Sequence, residues 1–438
     1  MITSLDQLSV GQPFPPTDEI SRRMIQLNEW KSLFHGDHDS VYKDEFRRTM
    51  EIVGAFEDAL QYEIVLNYHK LISVKTADLL LGETPQIECK DKEAMALLIA
   101  DTDYWGTMLE AIIDVSRYGC SVINVSKDPI DSKTYIDIIP AEYWIPIVSK
   151  LNKKRVINHL IVWTETIGRT ATITMQIHYI GYYEVRVHEF DGNKIGTLIS
   201  SEIITTGLND FAIVVLSNLT SSDSIYGISD YADLDSLVSE LEVRISQNSR
   251  ILDKHADPIL VMPCTEQNPE TAENTMPSGS IIEVTKEMVT PQYISYEADL
   301  GAGFTQVEVL TNKLAVISEM GIFIKDSDEK LGNLSGTALK RLAFAPLSKV
   351  ARLSMKVQGG FIKILKLASQ LSGKDLTNEV ITITFADGMP SDYKEISDYT
   401  SVSVKAATMS KTRAIKMLHE GISAEQIAEE LQLIAEGK

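Results

Sequence analysis

The chain has 438 residues, 44% apolar and 24% charged, with a formal net charge of −21 and a pI near 4.8. That length exceeds one ordinary core and implies several modules, while the acidity opposes tight binding of phosphate polymers, which draws on Lys and Arg. The longest apolar runs are strand length, so no membrane span is expected. The opening MITSLDQLSVGQPFPP lacks the features of a secretory leader, and Cys89, Cys120 and Cys264 suit neither a disulfide framework nor zinc.

Thr17 is placed to cap a helix over residues 19–34, and a longer helical pattern runs from Tyr42 to Leu81, ended by Gly82 and Pro85. A helix over 93–118 leads into β-type segments at 121–125, 135–139, 158–164, 170–180, 182–190 and 202–205. Asp191-Gly192-Asn193 reads as a hairpin turn into a strand at 196–200, so this module is α+β and largely antiparallel. From Asp230 to His255, Leu234, Leu237, Leu241, Ile245 and Leu252 form one helical stripe, capped by Ser229 or Asp230 and ended by Pro258. Pro258, Pro263, Pro269, Pro277 and Pro291 exclude a long helix from the next stretch, leaving short strands at 259–262 and 280–284. Phe304, Val307, Leu310, Leu314 and Ile317 form a second stripe over 304–322, so the two helices can run antiparallel with the insert at their tip.

A polar loop, Ile324 to Asn333, then precedes a helical stretch from Ser335 to Leu371 that Pro346 is expected to bend and Gly359-Gly360 to punctuate. Between Leu331 and Lys374 lie eight basic residues and no Asp or Glu. A strand at 380–385 follows, then helices at 391–407, 411–420 and 423–436, the last opened by a Ser423/Gln426 capping box.

No phosphate-binding G-x-x-x-x-G-K-[ST] loop occurs, nor G-x-S-x-G, a Cys/His pair or H-E-x-x-H, so no enzyme chemistry is expected. His35, His38 and Asp39 carry metal-type side chains, but a polar turn after the helix accounts for them equally, and no metal is expected. The cations of the basic stretch could hold phosphate directly. Pairing with carboxylates of neighbouring subunits suits an acidic assembly better.

Four phrases carry a resemblance in their order along the chain: LNYHKLISVKTADLLLGETPQI (66–87), YGISDYADLDSLVSELEVRISQNSRILDKHADPILVM (226–262), SGTALK (335–340) and FADGMPSDYKEISDY (385–399). Together they resemble the portal proteins of long-tailed bacteriophages. The resemblance implies a portal-type α+β fold with a helical stem, an α+β wing, a small β-containing clip and a short helical crown. Residues 1–89 and 90–229 would be wing, 230–255 and 304–322 the stem helices, and 256–303 the clip. Residues 323–334 would form the tunnel loop, 335–390 the long kinked helix and closing wing strand, and 391–438 the crown.

By the same resemblance, the tunnel loop Lys325, Asp326, Ser327, Asp328, Glu329, Lys330, Leu331, Gly332 and Asn333 would face DNA. Leu234, Leu241, Ile245, Leu310 and Leu314, with Lys349, Arg352 and Lys356, would lie between subunits, and Glu266, Glu270 and Glu273 would dock partners. The implied molecule is a homo-oligomeric, dodecameric ring at one capsid vertex of the virion, assembled in the host cytoplasm, without cofactor or membrane. It would conduct double-stranded DNA during packaging and ejection, dock the terminase large subunit and then the head-tail adaptor, and meet major capsid and scaffolding proteins. A different head-assembly protein, or a metal-dependent nuclease using His35 and His38, is the alternative.

Overall fold

The computed structural model describes residues 1–42, 64–167, 170–256, 259–263, 281–284, 292–294, 301–324, 341–374, 376–386, 393–419 and 424–436. Its helices are α1 (Asp18–His35), α2 (Tyr68–Leu81), α3 (Lys92–Asp101), α4 (Tyr104–Tyr118), α5 (Asp235–Ala256), α6 (Gly301–Ile317), α7 (Gly321–Ile324), α8 (Phe344–Leu371), α9 (Tyr393–Lys405), α10 (Lys411–Leu418) and α11 (Ala424–Glu436). Its strands are β1 (Gln86–Glu88), β2 (Cys120–Lys127), β3 (Thr134–Ile139), β4 (Trp144–Val148), β5 (Val156–Ile167), β6 (Thr170–His178), β7 (Tyr182–Phe190), β8 (Ile195–Thr205), β9 (Ile213–Ser217), β10 (Ile259–Pro263), β11 (Ile281–Val284), β12 (Gln292–Ile294) and β13 (Thr382–Thr384). The fold is mixed helix and sheet, as α+β patterning requires.

Two apolar cores organise the body. The larger joins α1, α2, α4, the β3-β2-β9 sheet, the start of α5 and α8. Strand β2 is almost continuously buried, a pattern of strands covered on both faces, and both α4 and α8 pack on its sheet. Helix α8 runs unbroken through Gly359-Gly360. A Cβ at Gly360 would lie 2.3 Å from Leu216 Cδ2, so this glycine lets the helix lie directly on β9. The smaller core fills one face of the antiparallel β4-β5-β6-β7-β8 meander, where Ile2, Leu8, Phe14 and Ile20 cover Leu160, Ile173, Met175 and Ile177.

Several boundaries differ from the sequence pattern for local reasons. Of the long 42–81 helix, Tyr42 and α2 are helical, residues 64–67 are not, and residues 43–63 lie outside the described residues. The 93–118 helix divides at Thr102–Asp103, where Asp103 takes φ 45°, ending one helix and redirecting the next. The segments at 196–200 and 202–205 are one strand, β8, reached through a turn in which the Asp191 carboxylate accepts the N–H groups of Asn193 at 2.9 Å and Lys194 at 2.6 Å.

Helix α6 stops at Ile317, and Glu319 at φ 58° turns the chain into the separate α7. Pro346 does not bend a continuous helix. It sits in the first turn of α8, where its missing N–H costs nothing, and Ala343 breaks the chain just ahead of it. Proline's clash with the carbonyl four residues back, that of Leu342, accounts for the break. Strand β13 closes an antiparallel pair with β1, and Ser423 of the anticipated capping box lies outside the described residues.

Candidate functional site

Helices α5 and α6 form a two-helix arm. Asn248 lies against Gly303, and Leu234 and Ile317 line one cavity at the opposite ends of the same two helices, so the helices run antiparallel. Strands β10, β11 and β12 make a small sheet of their own at the other end, β10 pairing parallel with β11 and antiparallel with β12.

The base of the arm is built by the segment Tyr226–Tyr231. Gly227 and Gly119 press backbone to backbone: a Cβ on Gly227 would stand 1.9 Å from the Gly119 carbonyl oxygen. The Arg23 guanidinium stacks on Tyr226, 3.7 Å from its ring centre. Asp230 does not cap the helix. Its carboxylate instead accepts from the Ser116 hydroxyl at 2.6 Å and the Asn218 amide at 3.0 Å, and pairs with the Lys349 ammonium at 2.9 Å. Ser229 likewise donates its hydroxyl to the Arg117 carbonyl at 2.5 Å, so α5 begins only at Asp235. Lys349 also reaches the Ser318 carbonyl at 3.4 Å. One ammonium therefore ties together α8, the segment that begins the arm and the turn that ends it.

Tyr231 is fully buried, hydrogen-bonded to Ser73 at 2.8 Å, and burial drives its phenol upward. Along α5, Asp235, Glu242 and Ser246 are spaced seven and four apart and share the face turned to the body. His69 bonds Asp235 at 3.0 Å, His38 bonds Glu242 at 2.7 Å, and the N–H groups of Leu66 and Ile64 donate to Glu242 at 2.8 Å and to Ser246 at 3.1 Å. The other ring nitrogen of His38 meets the Leu33 carbonyl at 3.1 Å. The structure thus employs His38 as a fastener of the arm. Among the described residues, no group of three His, Cys, Asp or Glu could hold a metal ion.

Residues 17–437 match the family described as phage portal protein, SPP1 Gp6-like. The chain belongs to that family. It is a phage portal protein, and that family is structural rather than enzymatic. Among solved structures it is similar to a chain in the neck of a native GTA particle with C12 symmetry. That chain is 12% identical, with TM-score 0.46 and coverage of 81% of this chain and 88% of that one. A chain of the native gene transfer agent virion is 11% identical, with TM-score 0.47 and coverage of 95% and 99%. No curated protein matches the sequence.

The residues anticipated at the portal's subunit contacts have partners within the chain itself. Leu234, Leu241 and Leu314 are buried in the chain's own core, and Ile245 and Leu310 pack partly buried against it. The cations of α8 and of the residues just after it also find partners at home: Lys349 with Asp230, Arg352 with Glu319, Lys363 with Asp210 at 2.8 Å and Lys374 with Asp101 at 3.5 Å. Lys356 donates to the Thr220 hydroxyl at 3.1 Å. The tunnel-loop residues 325–333 and Glu266, Glu270 and Glu273 lie outside the described residues.

What the stripe reading missed is the other side of α6. Val309 and Val316, seven residues apart and so on one face, are exposed, and Phe304 and Ile317, at the two ends of the stripe itself, are exposed as well. Leu342, Phe344 and Met355, near and within α8, are exposed as well. The signal was present in the sequence, because GAGFTQVEVLTNKLAVI is apolar around most of its circumference. A helix of that composition is covered on more than one side.

Proposed function

We propose that this portal chain closes into a homo-oligomeric ring at one capsid vertex and that double-stranded DNA passes through the ring during packaging and ejection. The arm tip, residues 256–303, docks the terminase large subunit and later the head-tail adaptor. The observation that carries the ring is the exposed apolar side of α6: an arm fastened to its own body on one side and bearing Val309 and Val316 exposed on another, with Phe304 and Ile317 exposed at its ends, is a surface for a neighbouring copy.

Scale supports a duplex-sized opening. About twelve helices at roughly 10 Å spacing give an axis-to-axis diameter on the order of 38 Å. Subtracting one helix diameter of about 10–12 Å leaves roughly 27 Å clear. A net charge of −21 suits passage, since a wall that repels phosphates offers no place for the cargo to stick.

Negative-stain microscopy of the purified protein tests the reading. Rings with an axial hole are expected, and a monodisperse monomer at micromolar concentration overturns it. Charge reversal at Glu270 and Glu273 is expected to leave rings intact and abolish tail joining.

A further inference from the structure

The loop joining β4 to β5 runs against the charge of the whole chain. In Lys150-Leu151-Asn152-Lys153-Lys154-Arg155 four of six residues are cations, all six are exposed, and Leu151 at the apex is 100% exposed. The loop is ordered by its own hydrogen bonds. Ser149 N–H donates to the Arg155 carbonyl and Arg155 N–H to the Asn152 carbonyl, each at 2.9 Å, and Lys154 N–H to the Asn152 side chain at 2.9 Å. The Lys154 ammonium donates to the Ser221 carbonyl, with Asp223 nearby. Among the described residues no carboxylate forms an ion pair with Lys150, Lys153 or Arg155. An apolar side chain held fully in water between cations is shaped as an anchor.

A receptor of opposite character lies elsewhere on the same chain. Pro85, Ile87, Cys89, Met95, Ala96, Ile99 and Trp105, with Lys92 as the one charged member, line an open cavity of about 250 Å³ between β1 and α3. Glu379 stands at its edge, accepting the N–H groups of Lys90 at 3.1 Å and Asp91 at 3.4 Å. The Cys89 thiol donates to the Asp91 carbonyl at 3.3 Å, and burial, then the charges of Glu379 and Asp91, push that thiol up against the opposing pull of Lys92. Glu88 and Glu93 are exposed beside them, and Lys90 and Lys92 are the local cations.

We propose that the Leu151 hairpin of one subunit seats in this acid-edged cavity of the next, Leu151 entering the apolar floor and the hairpin cations meeting Asp91 and Glu379. Anchor and receptor are different surfaces of one chain, so the contact is head-to-tail, the kind that closes a ring rather than a two-fold dimer. A nucleic-acid backbone would satisfy the cations but offers nothing to Leu151, and that favours a second copy. The proposal rests on the ring reading above and adds to it which faces meet.

The test uses the full chain with Leu151→Cys, a change at a fully exposed position, oxidised with copper phenanthroline. Because a disulfide forms only where the two Cα atoms come within about 7 Å, the expected result is a ladder of linked subunits on a non-reducing gel, lost when Cys89→Ser is added. Rings by microscopy without a ladder overturn the contact and leave the ring reading standing, whereas no rings from the wild-type chain overturn both. In parallel, Lys150→Glu with Lys153→Glu is expected to cut the ring fraction in sedimentation at least tenfold at low salt. If these rings stay assembled and only their hold on added duplex DNA falls, the hairpin serves phosphates and the proposal is wrong.

Discussion

Replacing Lys349 by Met should loosen the arm from the body without unfolding the body. The pair with Asp230 spans 2.9 Å, and its side chains are only 10% and 11% exposed, so solvent screens it little. Removing one member of such a pair costs about 3–5 kcal/mol, because the remaining charge stays buried. Asp230 keeps the Ser116 hydroxyl and the Asn218 amide, and charge-assisted bonds of this kind are each worth about 1.5–3 kcal/mol. The cost therefore falls at the low end, about 3 kcal/mol. The Ser318 contact, at 3.4 Å, adds little.

The reading that separates a joint from a general core defect is local. Hydrogen exchange over 235–250 and 314–318 should speed up on the order of 100-fold in Lys349→Met, since each 1.4 kcal/mol is about a factor of ten. Amides of β5 to β7 should not change. Asp230→Asn should do the same to the arm, and the double variant should cost no more than either single one, giving a coupling of about 3 kcal/mol. Unchanged exchange in the arm, or a double variant equal to the sum of the singles, would refute the pair as the fastener.

Gly227→Ala places a methyl 1.9 Å from the Gly119 carbonyl, so soluble yield should collapse or the melting temperature fall steeply, and a wild-type melt would show that the two backbones can part cheaply. His159 and His178 face each other across β5 and β6, and burial holds them down at about 3 and about 4. The unfolded chain then takes up more protons, so stability should decline as pH falls from about 6.5 toward those values, and urea midpoints from pH 7 to 5 should fall less in His178→Phe. Asp114, pushed up to about 6 by burial against the opposing pull of Arg117, has the reverse sign, so Asp114→Asn should steepen the acid loss. Asp326→Lys with Asp328→Lys should leave rings intact and slow packaging, more at low salt, because added attraction to phosphate is screened as salt rises; wild-type packaging rates at low salt would remove the loop from the DNA path.

Features set by a few adjacent residues were legible in the sequence. The Asp191-Gly192-Asn193 turn needs only its own side chains, and the Leu234–Leu241 stripe marks a helix whatever it packs on. Partners were not legible. An apolar stripe says that a face is covered but not by what, and Leu234, Leu241 and Leu314 turned out to be covered by their own subunit. Ser229 and Asp230 have the composition of a helix cap, but Arg117, Ser116, Asn218 and Lys349 claim their side chains first, an outcome that no local rule contains. Pro346 was read for what proline does inside a helix, when the chain instead uses it where a helix starts.

The basic stretch shows why that distinction bears on function. Taken alone, eight cations without a carboxylate resemble a phosphate-binding surface. In the fold, Lys349, Arg352, Lys363 and Lys374 are each met by a carboxylate of the same chain, from Asp230, Glu319, Asp210 and Asp101. Their positive charge is consumed in holding α8 against the body, the arm and α3, so little of it remains to attract DNA. The excess of carboxylates elsewhere then dominates the field outside the molecule. Four cations of the basic stretch are thus used inside the subunit, and the excess of carboxylates over the chain as a whole leaves a molecule that on balance repels phosphate. If such subunits close into the ring proposed above, its wall repels a duplex rather than gripping it.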